Sequence, residues 1–187
     1  MKKIQIVSLF APEARNSAFL VRMSEELVEA AGKSVLLVDA NPRGYATDMS
    51  LSEENFPAVS LYDILKNAKN GFPIDGKELM AKAIVKAQSG LYSIITASSE
   101  DINYNDLVTN ENDLDIFTKA FAAIDEYDFL IVDTAHKLTS LTKMAAKYTV
   151  NAYMPSPQAI QFGLKELFEA FLDDEEMEKI YSFYSLK

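Results

Sequence analysis

Three stretches of this chain are short and apolar along most of their length: Ile4-Gln5-Ile6-Val7-Ser8-Leu9-Phe10, Val35-Leu36-Leu37-Val38 and Phe129-Leu130-Ile131-Val132. A strand with one solvated face alternates apolar and polar residues, whereas a strand covered on both faces reads as a continuous apolar run. Such runs demand helices on both sides of a sheet. Between the first two, residues 17–31 place Phe19, Leu20, Met23, Leu27 and Ala30 on one helical face. Gly32 follows where a helix-terminating glycine belongs. Strand, helix and strand within 40 residues make a right-handed crossover with parallel strands.

The alternation continues downstream. Ser60 with Asp63 three residues on is a helix-start pattern. A helix is expected over residues 77–88, closed by Gly90, and a strand over 91–96. The acidic stretch 100–126 is expected to be partly helical, with Ile116, Phe117, Ala120, Phe121 and Ile124 facing inward. After the third apolar run come a helix near 138–147, a strand at 150–154, a helix over 158–172 and a short strand at 180–184. The pattern predicts one α/β domain over residues 1–187, a doubly wound, mostly parallel sheet with helices on both faces. The polar segment 41–57 is long for a connection and is expected to be mobile.

Composition narrows the function. Lysine and arginine total 18 against 28 aspartates and glutamates, a net charge of -10. A protein that neutralises phosphates would carry the opposite sign, so direct nucleic-acid binding is not expected. There is no cysteine, which excludes disulfides and thiolate chemistry, and the single histidine, His136, excludes a multi-histidine metal site within one chain. No apolar run reaches the length of a membrane span, and the start lacks a secretion signal, so membrane insertion is not expected and a cytoplasmic protein is.

Ligands of doubly wound sheets bind at the carboxyl ends of the strands. Three predicted loops leave those ends, at residues 10–17, 39–44 and 133–136. The segment Gly32-Lys33-Ser34-Val35-Leu36-Leu37-Val38-Asp39-Ala40-Asn41-Pro42-Arg43-Gly44-Tyr45-Ala46-Thr47 resembles the second-strand region of the MinD/ParA family, G-K-x-V-L-L-I-D-x-D-P-Q-G-N-A-T. Ser60-Leu61-Tyr62-Asp63-Ile64-Leu65, Gly90-Leu91-Tyr92-Ser93-Ile94-Ile95-Thr96-Ala97-Ser98 and Tyr127-Asp128-Phe129-Leu130-Ile131-Val132-Asp133-Thr134 resemble three further motifs of that family, in the same order and spacing. The resemblance implies a P-loop ATPase fold that dimerises around ATP and positions division sites, plasmids, chemosensory arrays, flagella or pili. It includes a pilus-linked TadZ branch with altered nucleotide loops, and the capsular tyrosine kinases share its core. A further strand and helix normally follow in the family, so the C-terminal part of the fold is expected to be shortened here.

The departures from the family pattern lie in its nucleotide loops. The family's K-G-G-V-G-K-T-T falls on Ala11-Pro12-Glu13-Ala14-Arg15-Asn16-Ser17-Ala18, which contains no glycine and no lysine. A phosphate cradle needs glycines so that backbone N–H groups converge on the anion, and Pro12 has no N–H to offer. The resemblance places the phosphate lysine on Asn16 and the magnesium-binding hydroxyl on Ser17, with Arg15 as a substitute cation one position early. The aspartate that orients the attacking water falls on Asn41. Asp39 and Asp133 are retained.

These six residues, Arg15, Asn16, Ser17, Asp39, Asn41 and Asp133, define a remnant nucleotide pocket. Each also has a purely structural reading: Ser17 as a helix cap, Asp39 and Asp133 as caps of the turns that follow, and Arg15 paired with Glu13. The favoured expectation is a nucleotide-site-deficient scaffold or positioning protein with no cofactor and no catalytic or metal-binding residue. It would act through protein partners, as a homodimer or beside an active paralogue. Two alternatives stand: an ATPase using Mg-ATP through Arg15, Ser17, Asp39 and Asp133, and a capsular-kinase-like regulatory module, for which Tyr181 and Tyr184 would be the relevant tyrosines. The acidic run 173–176 reads as a solvated helix end or as a docking surface for a basic partner.

Overall fold

The computed structural model describes residues 5–9, 15–98, 104–122, 124–134, 140–148 and 151–153. The expected elements at 158–172 and 180–184, the residues 10–14 and His136 lie outside the described residues. In chain order the elements are β1 (Gln5–Leu9), α1 (Arg15–Glu29), β2 (Val35–Ala40), α2 (Tyr45–Ser50), α3 (Leu61–Lys69), α4 (Gly76–Ala83), β3 (Ile84–Lys86), β4 (Ser93–Ile95), α5 (Ile116–Phe121), β5 (Phe129–Thr134), α6 (Ser140–Tyr148) and β6 (Asn151–Tyr153). The strands form a six-stranded sheet in the order β3-β4-β2-β5-β1-β6. Every neighbouring pair is parallel except β3 with β4. The expected α/β sheet with helices on both faces is therefore observed.

The unbroken apolar character of β2 and β5 has its predicted cause. Leu36, Val38 and Ala40 of β2, with Leu130 and Val132 of β5, pack on one face against residues of α3, α4, α5 and α6. Val35 and Leu37, with Phe129 and Ile131, pack on the other against Phe19, Leu20, Met23 and Leu27 of α1 and Ala46 of α2. All twelve positions of the two strands are buried. The acidic stretch supplies Ile116, Phe117, Ala120, Phe121 and Ile124 to the first cluster, with the rings of Phe117 and Phe121 stacked at 4.7 Å.

The amino ends of β2 and β5 are fastened by Ser34 and Asp128. The Asp128 carboxylate accepts the Ser34 backbone N–H and hydroxyl, both at 2.8 Å, and the Asp128 N–H donates to the Ser34 carbonyl at 2.9 Å. α1 ends where the sequence places its glycine. Gly32 takes φ 64°, and the N–H groups of Gly32 and Lys33 close on the carbonyls of Val28 and Leu27.

Two expectations are corrected. The helix expected over 77–88 stops at Ala83, and Ile84-Val85-Lys86 form an antiparallel edge strand on β4. Branched Ile84 and Val85 favour a pleated surface over a helix. Gly90, at φ 73°, turns a hairpin rather than ending a helix, with the Ala87 N–H donating to the Tyr92 carbonyl. The segment 41–57, expected to be mobile, contains α2 and a single-turn helix at Glu53–Asn55, and buries Ala46, Thr47, Ser50 and Leu51. Its order comes from hydrogen bonds described in the next subsection. The expected helix start at Ser60 is present: the Asp63 carboxylate accepts the Ser60 N–H at 2.8 Å and its hydroxyl at 2.9 Å. Asp63→Ala should therefore lower stability by about 1 kcal/mol, read as a lower urea midpoint at unchanged slope.

Candidate functional site

β1 feeds a crossover toward β2 on one side, while β5 leads toward β6 on the other, so the strand order reverses between these central strands. Ligand crevices of open α/β sheets form at such a reversal, beyond the carboxyl ends of the strands. The sheet register brings two carboxylates together there. β2 and β5 are longer than the sequence runs suggested and include Asp39 and Asp133, which are register partners across the parallel pair. Both lie on the sheet face covered by α1 and α2, since each alternates with residues of the opposite cluster.

Ser17 joins them from α1. Its hydroxyl donates to Asp133 Oδ2 at 2.6 Å, and all three residues are buried. Ser17 is thus not the helix cap that the structural reading made it, because α1 begins at Arg15 and Ser17 lies inside its first turn. Arg15 and Asn16 occupy the two positions before it. Asp39 is heavily engaged. One carboxylate oxygen accepts the Asn41 N–H at 3.0 Å, and the other accepts the N–H and hydroxyl of Thr47, both at 2.8 Å. It therefore caps the first turn of α2 from outside the helix, and this bond set orders the segment after β2. Asn41 continues the turn, its Oδ1 accepting the Arg43 N–H at 3.2 Å. Gly44 precedes α2 at φ 64°, a backbone conformation that glycine adopts without strain.

Thr47 is the residue that sequence reasoning missed. Its Oγ1 donates to Asp39 and accepts the Ala97 N–H at 3.0 Å, tying together the ends of β2, α2 and β4. The signal was available, for Thr47 closes the quoted second-strand motif and Ala97 lies in another of the four motifs.

Asp133 is less satisfied than Asp39. Its Oδ1 is buried and has no hydrogen-bond partner among the described residues. Burial pushes the Asp133 carboxyl up to about 8, and the charge of Asp39 adds to the rise while the Ser17 bond opposes it. Burial also pushes Asp39 up, to about 6, against the lowering effect of its bonds to Thr47 and Asn41. The two titrate as a pair, and near neutral pH the pair retains a proton. Among the described residues no lysine or arginine pairs with either carboxyl, and no group of three or more histidine, aspartate or glutamate side chains is placed to hold a metal ion. A buried hydroxyl–carboxyl pair with one vacant acceptor can hold a proton or face a cation.

A family model described as an AAA domain matches residues 16–173, most of the chain, and the chain belongs to that family. It is the P-loop family of MinD and ParA that the sequence motifs resemble. Among solved structures, the chain is similar to cobyrinic acid a,c-diamide synthase from Mycobacterium smegmatis with bound ATP analog and magnesium (TM-score 0.65, 18% identity, 82% of this chain and 60% of that one). It is also similar to a plasmid partition protein from Borrelia burgdorferi (0.63, 16%, 96% and 75%) and to apo McdA from Cyanthece (0.62, 14%, 98% and 68%). The chain thus spans 60% of the length of the synthase. No curated protein matched the sequence. Among the described residues no helix is long and apolar enough to cross a membrane.

The raised acidities have a defined consequence for stability. Unfolded Asp133 loses its proton near the ordinary value of 3.8, whereas the folded protein holds it up to about 8. The native state is therefore penalised progressively as pH rises between those values. Asp133→Asn, which keeps an acceptor for Ser17, should match wild type near pH 4 and melt at a higher temperature by pH 8. Calorimetry across that range in chelator checks it; a difference independent of pH would contradict the shared-proton arrangement.

Proposed function

We propose that this chain is a MinD/ParA-like positioning or scaffold protein whose nucleotide site is deficient, acting in the cytoplasm through protein contacts. The observation that carries the reading is the composition of residues 11–18, which hold neither a glycine nor a lysine. A triphosphate carries several charges, and charge-assisted contacts to it are among the strongest available to a protein. Without the lysine and the glycines, the sequence supplies neither the cation nor the glycine-built N–H cradle that would replace water around the phosphates. Asn41 supports the same reading, since an amide can orient a water but cannot take its proton.

Ser17 and Asp133 fit the cation end of a Mg-ATP site, because a hydroxyl and a buried carboxyl oxygen without a hydrogen-bond partner among the described residues are the hard oxygen donors that a magnesium ion would take. The phosphate end does not fit, so no hydrolytic step follows from these residues. The net charge of -10 supports partners that are proteins rather than nucleic acid. The similarity to a plasmid partition protein supports positioning as the class of role. The retained Ser17–Asp133 pair favours a second reading, an ATPase with an unorthodox loop in which Arg15 supplies the missing cation.

Melting with and without Mg-ATP separates the two, because a ligand that binds the native state must raise the midpoint by mass action. The expected result is no shift for wild type, and none for Asn16→Lys, because one restored cation leaves the phosphates without their N–H cradle. Micromolar affinity in a calorimetric titration of wild type would replace the first reading with the second.

A further inference from the structure

At the amino ends of β2, β4 and β5, away from Asp39 and Asp133, the last turn of α1, the residues entering β2, the end of β3 and the residues preceding β5 surround an open pocket of about 280 Å³. Val28, Leu91 and Tyr127 give it apolar walls. Its charged lining is Lys33 and Lys86, with no acid. The rest of the protein is unlike this. The chain carries 28 acids against 18 bases, and a larger groove at the same end, beside α4 and Phe72, is lined by Asp75, Asp125 and Glu126 against Lys77 and Lys119. Two cations without an acid are a local reversal of the protein's charge.

The backbone around the pocket is fixed before any ligand arrives. Gly32 lines it from the turn that ends α1, and a side-chain carbon at this position would meet no atom within 4 Å. Ser34, also in the lining, is bonded to the Asp128 carboxylate through its N–H and hydroxyl, both at 2.8 Å. These bonds also commit Asp128, the acid next to Tyr127, to Ser34. Lys33 is half-buried between these two anchored residues. Lys86 is exposed, is held by its register against Ser93 of β4, and makes no ion pair among the described residues. Backbone ordered in advance lowers the entropic cost of binding.

The lining defines the class of ligand. Apolar walls with a few placed polar groups are the ordinary make-up of a small-molecule site, and two ammonium groups call for an anion. A phosphate monoester carries a charge of about -1.5 to -2 at neutral pH, which matches two lysines, whereas a carboxylate matches one. We propose that this pocket binds a small organic phosphate monoester, its phosphate between Lys33 and Lys86 and its organic part against Val28, Leu91 and Tyr127. The volume of about 280 Å³ suits a body of about one ring. The pocket shares no residue with the carboxylate pair and lies at the opposite end of the sheet, so the proposal stands apart from the reading of that site.

Titration of the full chain with phenyl phosphate at low salt and without magnesium, followed by amide NMR shifts and by calorimetry, tests it. The shifts should centre on Gly32, Lys33, Ser34, Lys86 and Tyr127. Benzoate, which offers the ring with a single charge, and inorganic phosphate, which offers the charge without the ring, should each bind more weakly. Lys86→Gln and Lys33→Gln should each raise the dissociation constant of phenyl phosphate by about tenfold, as loss of a charge-assisted contact does. Lys86 is exposed, so Lys86→Gln should leave the circular dichroism and the melting midpoint of the free protein unchanged. Absence of binding, shifts confined to residues 15–17 and 39–47, benzoate binding as tightly as phenyl phosphate, or an affinity indifferent to both substitutions would overturn the proposal.

Discussion

The in-register pairing of β2 with β5 governs both the core and the candidate site. Two strands buried on both faces cannot slip by a single residue without sending every side chain to the wrong layer. Once Leu36 stands opposite Leu130 and Leu37 opposite Ile131, Asp39 must stand opposite Asp133. The hydrophobic registry thus forces two carboxyls together in a dry place, where at least one of them has to be neutralised or given a proton. Ser34 and Asp128 secure the same registry at the other end of the strands, with four hydrogen bonds.

Much of this was legible because burial on both faces leaves a plain mark in sequence. The three apolar runs, the inward face of the acidic stretch and the Ser60 helix start all answer to short-range rules, and the structure contains them. The failures share a cause. Whether residues 84–86 extend a helix or begin an edge strand is decided by the availability of β4 as a partner, which a local window cannot see. Residues 41–57 look polar and loose because the bonds that order α2 come from Asp39, outside the segment itself. At the site, Asp39 and Asp133 could be named from motifs, but which of them is satisfied and which keeps a vacant oxygen depends on Thr47 and Ser17, brought in by tertiary folding.

The two ends of the sheet carry different chemistry. The carboxyl ends gather buried acidic groups around a hydroxyl. The amino ends present the exposed ring of Phe72 beside an open groove. A fold whose relatives include both a synthase and a partition protein evidently constrains the scaffold more tightly than the task performed on it.

Thr47 carries one consequence beyond the site. A single hydroxyl serves as donor to Asp39 and as acceptor for the amide of Ala97, fifty positions along the chain. Residues 41–47 cannot lift away without breaking both bonds at once, so the segment behaves as a latch with two settings rather than a hinge with many. In exchange with heavy water, the amides of Thr47 and Ala97 would be governed by one shared opening event despite their separation in sequence.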